Sequence, residues 1–219
     1  MTAVAELDTV TLSSLMREGS RAEHTEAESS NFMSSLLKGE VNEAGYTYYL
    51  AMLRPVYEAL ESVARELADD PIASVLIDPA LDRLVALDAD LAFWAPDGVP
   101  DVTSPAVDAY VARIRESAAW GGSFVAHHYT RYLGDLSGGQ AIGKILGRAF
   151  GLEGQGLDFY AFEDIEKIKL YKDSYRDRLD GLDLTDEEKA RVVEEVKVVF
   201  GLNSAIFTEL TADLDTYRR

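Results

Sequence analysis

The chain has no cysteine at all. Disulfide staples, iron–sulfur clusters, thiolate metal ligands and cysteine nucleophiles are excluded together. Positive charge is scarce too: 21 basic residues stand against 39 acidic ones, a net charge of −18. A field of that sign repels phosphate backbones, so no nucleic-acid partner is expected. No apolar run approaches the ~20 residues that cross a bilayer. Met1–Val10 lacks the basic start and apolar stretch of a secretion signal. What is abundant is apolar residues, 47% of the chain, enough to bury a core and to exclude intrinsic disorder. The expectation is one domain over residues 1–219, monomeric, cytoplasmic and without a membrane partner, with flexible ends at 1–8 and 212–219.

Helical periodicity dominates, and strand alternation is scarce. A helical pattern opens at Leu12, Leu15 and Met16 and runs to about Glu28. A longer one, from about Asn42 to Ala68, is rich in tyrosine (Tyr46, Tyr48, Tyr49, Tyr57). Asp70-Pro71 and Asp78-Pro79 mark breaks, because the residue before proline is pushed out of helical geometry. Residues 95–105 read as a loop. Thr103 or Ser104 is a cap for the next helix, with Pro105 at its first position. Further helical patterns cover 124–150 and 163–180. Thr185 and Glu188 form a capping box opening a last helix to about Leu210. The fold class expected is all-α, with about eight helices.

The most informative stretch interrupts its own helix. Gly134, Gly138, Gly139, Gly143 and Gly147 lie within one apolar-periodic segment. Each glycine costs a helix about 1 kcal/mol relative to alanine, so something must compensate. Close helix packing suits Gly139, Gly143 and Gly147, which recur every four residues. Gly134 and Gly138, with Asp135 between them, also admit a second reading. A flat ligand can lie against bare backbone there, with a kink at Gly138-Gly139 bending the helix over it. The spacing from Gly138 to Lys144 mimics a phosphate-binding loop. Ile145 occupies the position that needs Ser or Thr, and no strand precedes it, so that reading is rejected.

The histidines are three: His24, His127 and His128. No Glu-x-x-His pair exists, which argues against a ferritin-like di-iron bundle, and no His-Glu-x-x-His exists, so the zinc-protease signature is absent. His24 has Glu28 four residues later on the same helical face. That pair reads as a surface ion pair or as a metal ligand oriented by a carboxylate. His127 and His128 read as packed within the fold.

The run Tyr129-Thr130-Arg131-Tyr132-Leu133-Gly134-Asp135-Leu136-Ser137-Gly138-Gly139-Gln140 resembles the signature of the heme oxygenases. His24-Thr25-Glu26-Ala27-Glu28, continuing to Phe32-Met33, resembles their proximal helix. Leu170 to Arg176 resembles their propionate-binding helix. Phe200-Gly201-Leu202-Asn203, with Phe207, resembles their last core helix. The resemblance runs through nearly the whole chain in order.

That resemblance implies an all-helical bundle with heme sandwiched between a proximal helix and a kinked distal helix. It implies that heme b is both cofactor and substrate, cleaved with O2 and electrons to biliverdin (the α isomer), carbon monoxide and ferrous iron. His24 is then the axial iron ligand, with Glu28 holding its other nitrogen. Gly134, Gly138 and Gly139 form the distal wall. Asp135 anchors a proton-delivering water network, surrounded by Arg131, Asn203, Tyr57 and Tyr110. Lys172, Arg176, Tyr129 and Arg17 face the propionates, Arg17 standing where the family often has lysine. Phe200 and Phe207 complete the heme-binding set. Ferredoxin with its reductase, or a flavoprotein reductase, is the implied electron donor, docking on the basic patch around Lys172 and Arg176. Vertebrate members carry a C-terminal membrane tail, and an end at Arg219 is expected of the soluble bacterial type. A heme carrier on the same fold, or a helical enzyme or interaction module without heme, are the alternatives that hemin binding and turnover distinguish.

Overall fold

A computed structural model describes residues 10–152 and 154–219; the expected flexible end at 1–8 lies outside them. The described residues form ten α-helical segments and no strand. These are α1 (Leu12–Gly19), α2 (Arg21–Glu28), α3 (Asn31–Lys38), α4 (Glu43–Glu66), α5 (Leu84–Trp94), α6 (Pro105–Ser117), α7 (Gly121–Gly134), α8 (Gln140–Phe150), α9 (Ile168–Asp180) and α10 (Asp186–Ala212). Segments α7 and α8 join through a π-helical turn, Asp135–Gly139, into one broken rod. Counting that rod once leaves nine helices, one more than periodicity suggested.

Side-chain caps start several of these helices. Asn42 Oδ1 accepts the Gly45 amide at 2.9 Å to open α4. Ser104, rather than Thr103, accepts the Val107 amide at 3.0 Å to open α6, with Pro105 in the first turn. The Thr185–Glu188 capping box is present in both directions. Glu61 is buried in α4, and its carboxylate takes the amides of Arg83 and Leu84 at 2.7 and 2.8 Å, which starts α5. Such caps satisfy amides that have no partner within the helix. The carboxylates before both prolines serve nearby amides in the same way. Asp70 takes those of Ile72 and Ala73, and Asp78 takes that of Ala80.

Three boundaries differ from periodicity. The single helix expected over 12–28 breaks at Ser20, whose φ and ψ of −112° and 15° turn the chain while its hydroxyl donates to the Met16 carbonyl. A new cap at Ser30 then opens α3. Helix α9 begins at Ile168 rather than near 163, because Phe162 and Ile165 are buried in a non-helical approach. The segment 212–219, expected to be loose, is tied down. Asn42 N–H donates to the Tyr217 carbonyl at 2.7 Å, and Arg219 N–H to the Glu40 carbonyl at 2.8 Å. Leu214 is buried, and Tyr217 stacks on Tyr48.

The floor of the molecule is α10. Val192, Val196, Val199, Asn203, Ile206 and Leu210 form its buried stripe at helical spacing. Each apolar member contributes about 1.5–3 kcal/mol on burial. Helices α1, α2, α3, α6 and α7 all pack on α10, while α4 packs on α5 and α6. Helix α2 therefore reaches the site through α10 and makes no comparable contact with α7. Two polar side chains are buried along α10, Glu195 and Asn203, and Asn203 belongs to the site. No helix among the described residues is long and apolar enough to cross a membrane.

Candidate functional site

Helix α7 is buried on nearly every side, from Phe124 to Leu133. A polar residue placed there must find partners inside the protein. Arg131 does: it donates to Asn203 Oδ1 at 2.8 Å and to the Tyr57 hydroxyl at 3.1 Å from Nε and 2.8 Å from Nη2. The Tyr57 hydroxyl in turn donates to the Asp135 carboxylate. Arg131 also lies 3.7 Å from that carboxylate, across one helical turn. Tyr57, Arg131, Asp135 and Asn203 thus form one buried cluster contributed by α4, α7, the π-turn and α10. Tyr110 was expected with them, yet its buried hydroxyl has no hydrogen-bond partner among the described residues.

The electrostatics of the cluster follow from burial. Desolvation pushes the Asp135 carboxyl above its usual range, while the Arg131 cation and the Tyr57 hydroxyl pull it down. Desolvation likewise raises the Tyr57 hydroxyl well above its ordinary value. The expected kink takes the form of the π-turn, which begins at Asp135 and ends at Gly139.

The glycines divide as their spacing suggested. A Cβ on Gly134 or Gly138 would meet nothing within 4 Å, so these two backbones border open space. On Gly143 a Cβ would stand 2.9 Å from the Tyr160 Cβ, and on Gly147 3.5 Å from Leu157, so both are packing positions. Gly139 packs as well, as its spacing suggested, although the resemblance also put it in the distal wall: its Cβ would stand 3.3 Å from the Tyr160 ring.

His24 projects from α2 with its side chain 53% exposed. Its Nδ1 lies 3.5 Å from Glu28 Oε2, at the outer limit of a direct hydrogen bond. Its ring meets Phe200 of α10 edge-on, centroids 5.4 Å apart. The other ring nitrogen takes no hydrogen bond from the described residues and is available as a ligand. Phe200 is half-buried beside it; Phe207 is buried deeper, against Tyr49. His127 and His128 are both buried, bonded to Glu195 at 3.1 Å and to the Tyr175 hydroxyl at 2.8 Å. Among the described residues no group of three His, Asp or Glu side chains is placed to hold a metal ion, so His24 stands as a solitary donor.

The basic residues gather at the exposed edge. Lys172 reaches from α9 to the Ser137 hydroxyl in the π-turn, Nζ to Oγ 3.0 Å. Arg176 lies one turn on, 3.2 Å from Asp173. Burial raises the Tyr129 hydroxyl, and the cations of Arg176 and Arg17 oppose that rise, so the three share one neighbourhood. Arg17 is itself exposed and held by Glu18 at 2.9 Å. Helices α1 and α9, which carry these cations, are joined where Asp180 accepts the Ser13 amide and hydroxyl at 2.7 and 2.8 Å.

The arrangement suits a flat, anionic, iron-bearing ring. Bare backbone at Gly134 and Gly138 offers a plane without side chains, and the solitary imidazole offers one ligand. Cations stand at the open edge, and a buried acid stands beside the plane. Sequence reasoning missed Ser137 as the partner of Lys172, and Tyr160 behind the glycines. The four-residue glycine spacing announced that something packs there, but not which residue.

Similarity to known proteins extends over most of the chain. The sequence profile described as Heme oxygenase matches residues 10–209. Heme oxygenase 1 of Synechocystis sp. is 38% identical over 208 residues, covering 94% of this chain and 87% of that protein. Heme oxygenase 1 of Homo sapiens is 39% identical over 205 residues, covering 91% of this chain and 71% of that protein. The crystal structure of heme oxygenase-1 from Synechocystis sp. in complex with heme superposes with a TM-score of 0.88 at 38% identity, covering 94% of this chain and 95% of that one.

Proposed function

The chain belongs to the heme oxygenase family and is a heme-degrading enzyme; on that premise we propose how its own residues divide the work of turning heme, O2 and electrons into biliverdin, carbon monoxide and ferrous iron. The bound heme supplies both the iron at which dioxygen is reduced and the ring carbon that is oxidised. His24 ligates the iron through the nitrogen turned away from Glu28, and Glu28 fixes the ring's orientation and tautomer. The backbone at Gly134 and Gly138 approaches the ring closely and leaves little room for bulk water.

Asp135 holds and passes the proton. Its carboxyl is buried and raised, which favours keeping a proton, while Arg131 and Tyr57 keep it from being held too tightly. Tyr57 and Arg131 also fix the carboxylate's direction, so that waters bonded to it are ordered. Lys172, Arg176, Tyr129 and Arg17 bind the propionates and so set the ring's rotation in its plane, which selects the α carbon. The same basic edge, with Lys167 and Lys169 beside it, is where an acidic ferredoxin or a flavoprotein reductase delivers electrons. Local attraction must dominate there over a net charge of −18.

The observation that carries this reading is the pairing of open space at Gly134 and Gly138 with a buried, hydrogen-bonded Asp135. An aerobic hemin titration tests it. One equivalent of hemin binds, and ascorbate or a reductase then removes the Soret band and yields biliverdin on chromatography. Tight hemin binding without ring cleavage would make the protein a carrier instead.

A further inference from the structure

The open face of the π-turn has a back, and the back is built from residues without a part in the scheme above. The ring of Tyr160 lies against Gly139 and Gly143, where any Cβ would crowd it at 3.3 and 3.2 Å. Gln140, the first residue of α8, donates from its side chain to the Tyr160 carbonyl at 2.7 Å. Phe159 meets Tyr160 at 4.9 Å and Tyr57 at 5.3 Å between centroids, both edge-on. Tyr57 is the residue that donates to Asp135.

The turn carrying Phe159 and Tyr160, Asp158–Tyr160, is in turn gripped by Asp90 of α5. Asp90 is wholly buried, and its two carboxylate oxygens accept the amides of Asp158 and Phe159 at 2.8 and 2.9 Å. Burial pushes this carboxyl up to about 6, and the two amides oppose the rise. A π-turn is less favourable than α-helix and needs outside support to persist. Here the support reaches it at the glycines, at Gln140 and, through Tyr57, at the acid.

We infer that Tyr160, gripped through its turn by Asp90, is a positioning residue that holds the distal π-turn in register, so that the Gly134–Gly138 backbone and Asp135 keep a fixed place over the substrate. This rests on the reading of the site as a heme-cleaving one. Tyr160 acts through Gly139 and Gly143 and, by way of Phe159, through Tyr57, and touches no reacting atom. Its hydroxyl, buried and without a partner among the described residues, takes no part; the ring does.

Two readouts test this in Tyr160→Ala, with Leu214→Ala as a core truncation away from the site. Hydrogen exchange on the protein without hemin reads the turn itself. Protection of the amides around 136–140 is expected to fall about tenfold or more in Tyr160→Ala and to hold in Leu214→Ala. With hemin, the biliverdin isomer ratio is expected to broaden in Tyr160→Ala alone. Tyr160→Phe restores both, since it keeps the ring. Where Tyr160→Ala is too unstable, Gly139→Ala crowds the same contact from the helix side and is expected to shift both readouts. Unchanged protection and isomer ratio in Tyr160→Ala, or equal losses in Tyr160→Phe, overturn the inference. A wild-type protein that binds hemin but makes no biliverdin would refute the heme-cleaving reading instead, and the exchange result would still decide what holds the turn.

Discussion

The Tyr57 hydroxyl donates a hydrogen bond to the Asp135 carboxylate while accepting two from Arg131. One phenol oxygen thus joins a buried cation to a buried anion that lie 3.7 Å apart. Buried charges of opposite sign are tolerated when every lone pair and proton is engaged, and here Asn203 engages the remaining edge of the guanidinium. The cost of burying this cluster is offset by fixing one carboxylate in one direction, which is what proton delivery requires.

Removing the acid should therefore separate binding from chemistry. Asp135→Ala is expected to bind hemin as tightly as the wild type and to lose about a hundredfold in biliverdin yield, the usual scale for a positioned proton donor. Tyr57→Phe keeps the carboxylate but frees its direction, so a smaller loss is expected. Single-turnover assays with product chromatography measure both. A normal yield from Asp135→Ala would remove the acid from the mechanism.

His24 makes few contacts for a residue of such consequence: Glu28 at 3.5 Å and the edge of Phe200. Its side chain is half-exposed, so His24→Ala should change the stability of the free protein by less than about 1 kcal/mol. The absorption spectrum of bound hemin should change completely, and added imidazole should restore it in part. An unaltered spectrum with unaltered turnover would place the ligand elsewhere.

Charge reversal at the basic edge probes the electron donor. Lys172→Glu and Arg176→Glu remove cations from a chain that has few, so turnover supported by an acidic ferredoxin should fall severalfold. Wild-type turnover should weaken with salt, since the Debye length shortens from ~10 Å at 0.1 M to ~3 Å at 1 M. Ascorbate-driven turnover, which needs no docking, should respond far less to salt. Equal salt dependence with both reductants would argue against docking there.

How legible this was in the sequence depended on the kind of signal. Two helix caps and the proline breaks were readable because each acts within a few residues, as Ser104 and Thr185 do. The glycine split was readable in outline, because a residue that weakens a helix must be repaid by packing or by a ligand. The spacing put Gly139 on the packing side but did not name its partner, because Tyr160 lies 21 residues away in a short turn that no periodicity announces. The break at Ser20 was hidden, since apolar spacing runs through it and only a side-chain bond to Met16 marks the turn. The basic residues of α9 were visible, but their link to Ser137 depends on tertiary approach.

His128 makes the stability of the protein depend on pH in a direction that can be worked out. It is buried against Tyr175, and burial pulls its imidazole down to about 3, with the Arg178 cation adding to the fall and Asp78 opposing it. The ordinary value is about 6.5, so between these limits the unfolded chain holds a proton that the folded one refuses. This contribution is complete above about pH 6.5 and is lost as pH falls toward 3, by up to ~1.4 kcal/mol per pH unit. Asp90 works in reverse: raised to about 6, it favours the folded state increasingly as pH falls through 6 toward 3.8. His128→Gln keeps a partner for the Tyr175 hydroxyl but cannot titrate. Its unfolding free energy, from urea melts at pH 7, 6 and 5, should therefore decline less toward acid than that of the wild type. Some decline remains, because burial also lowers His127. Asp90→Asn should decline more steeply than the wild type, having lost the opposing term. Parallel curves for all three proteins would show that neither buried group titrates with folding.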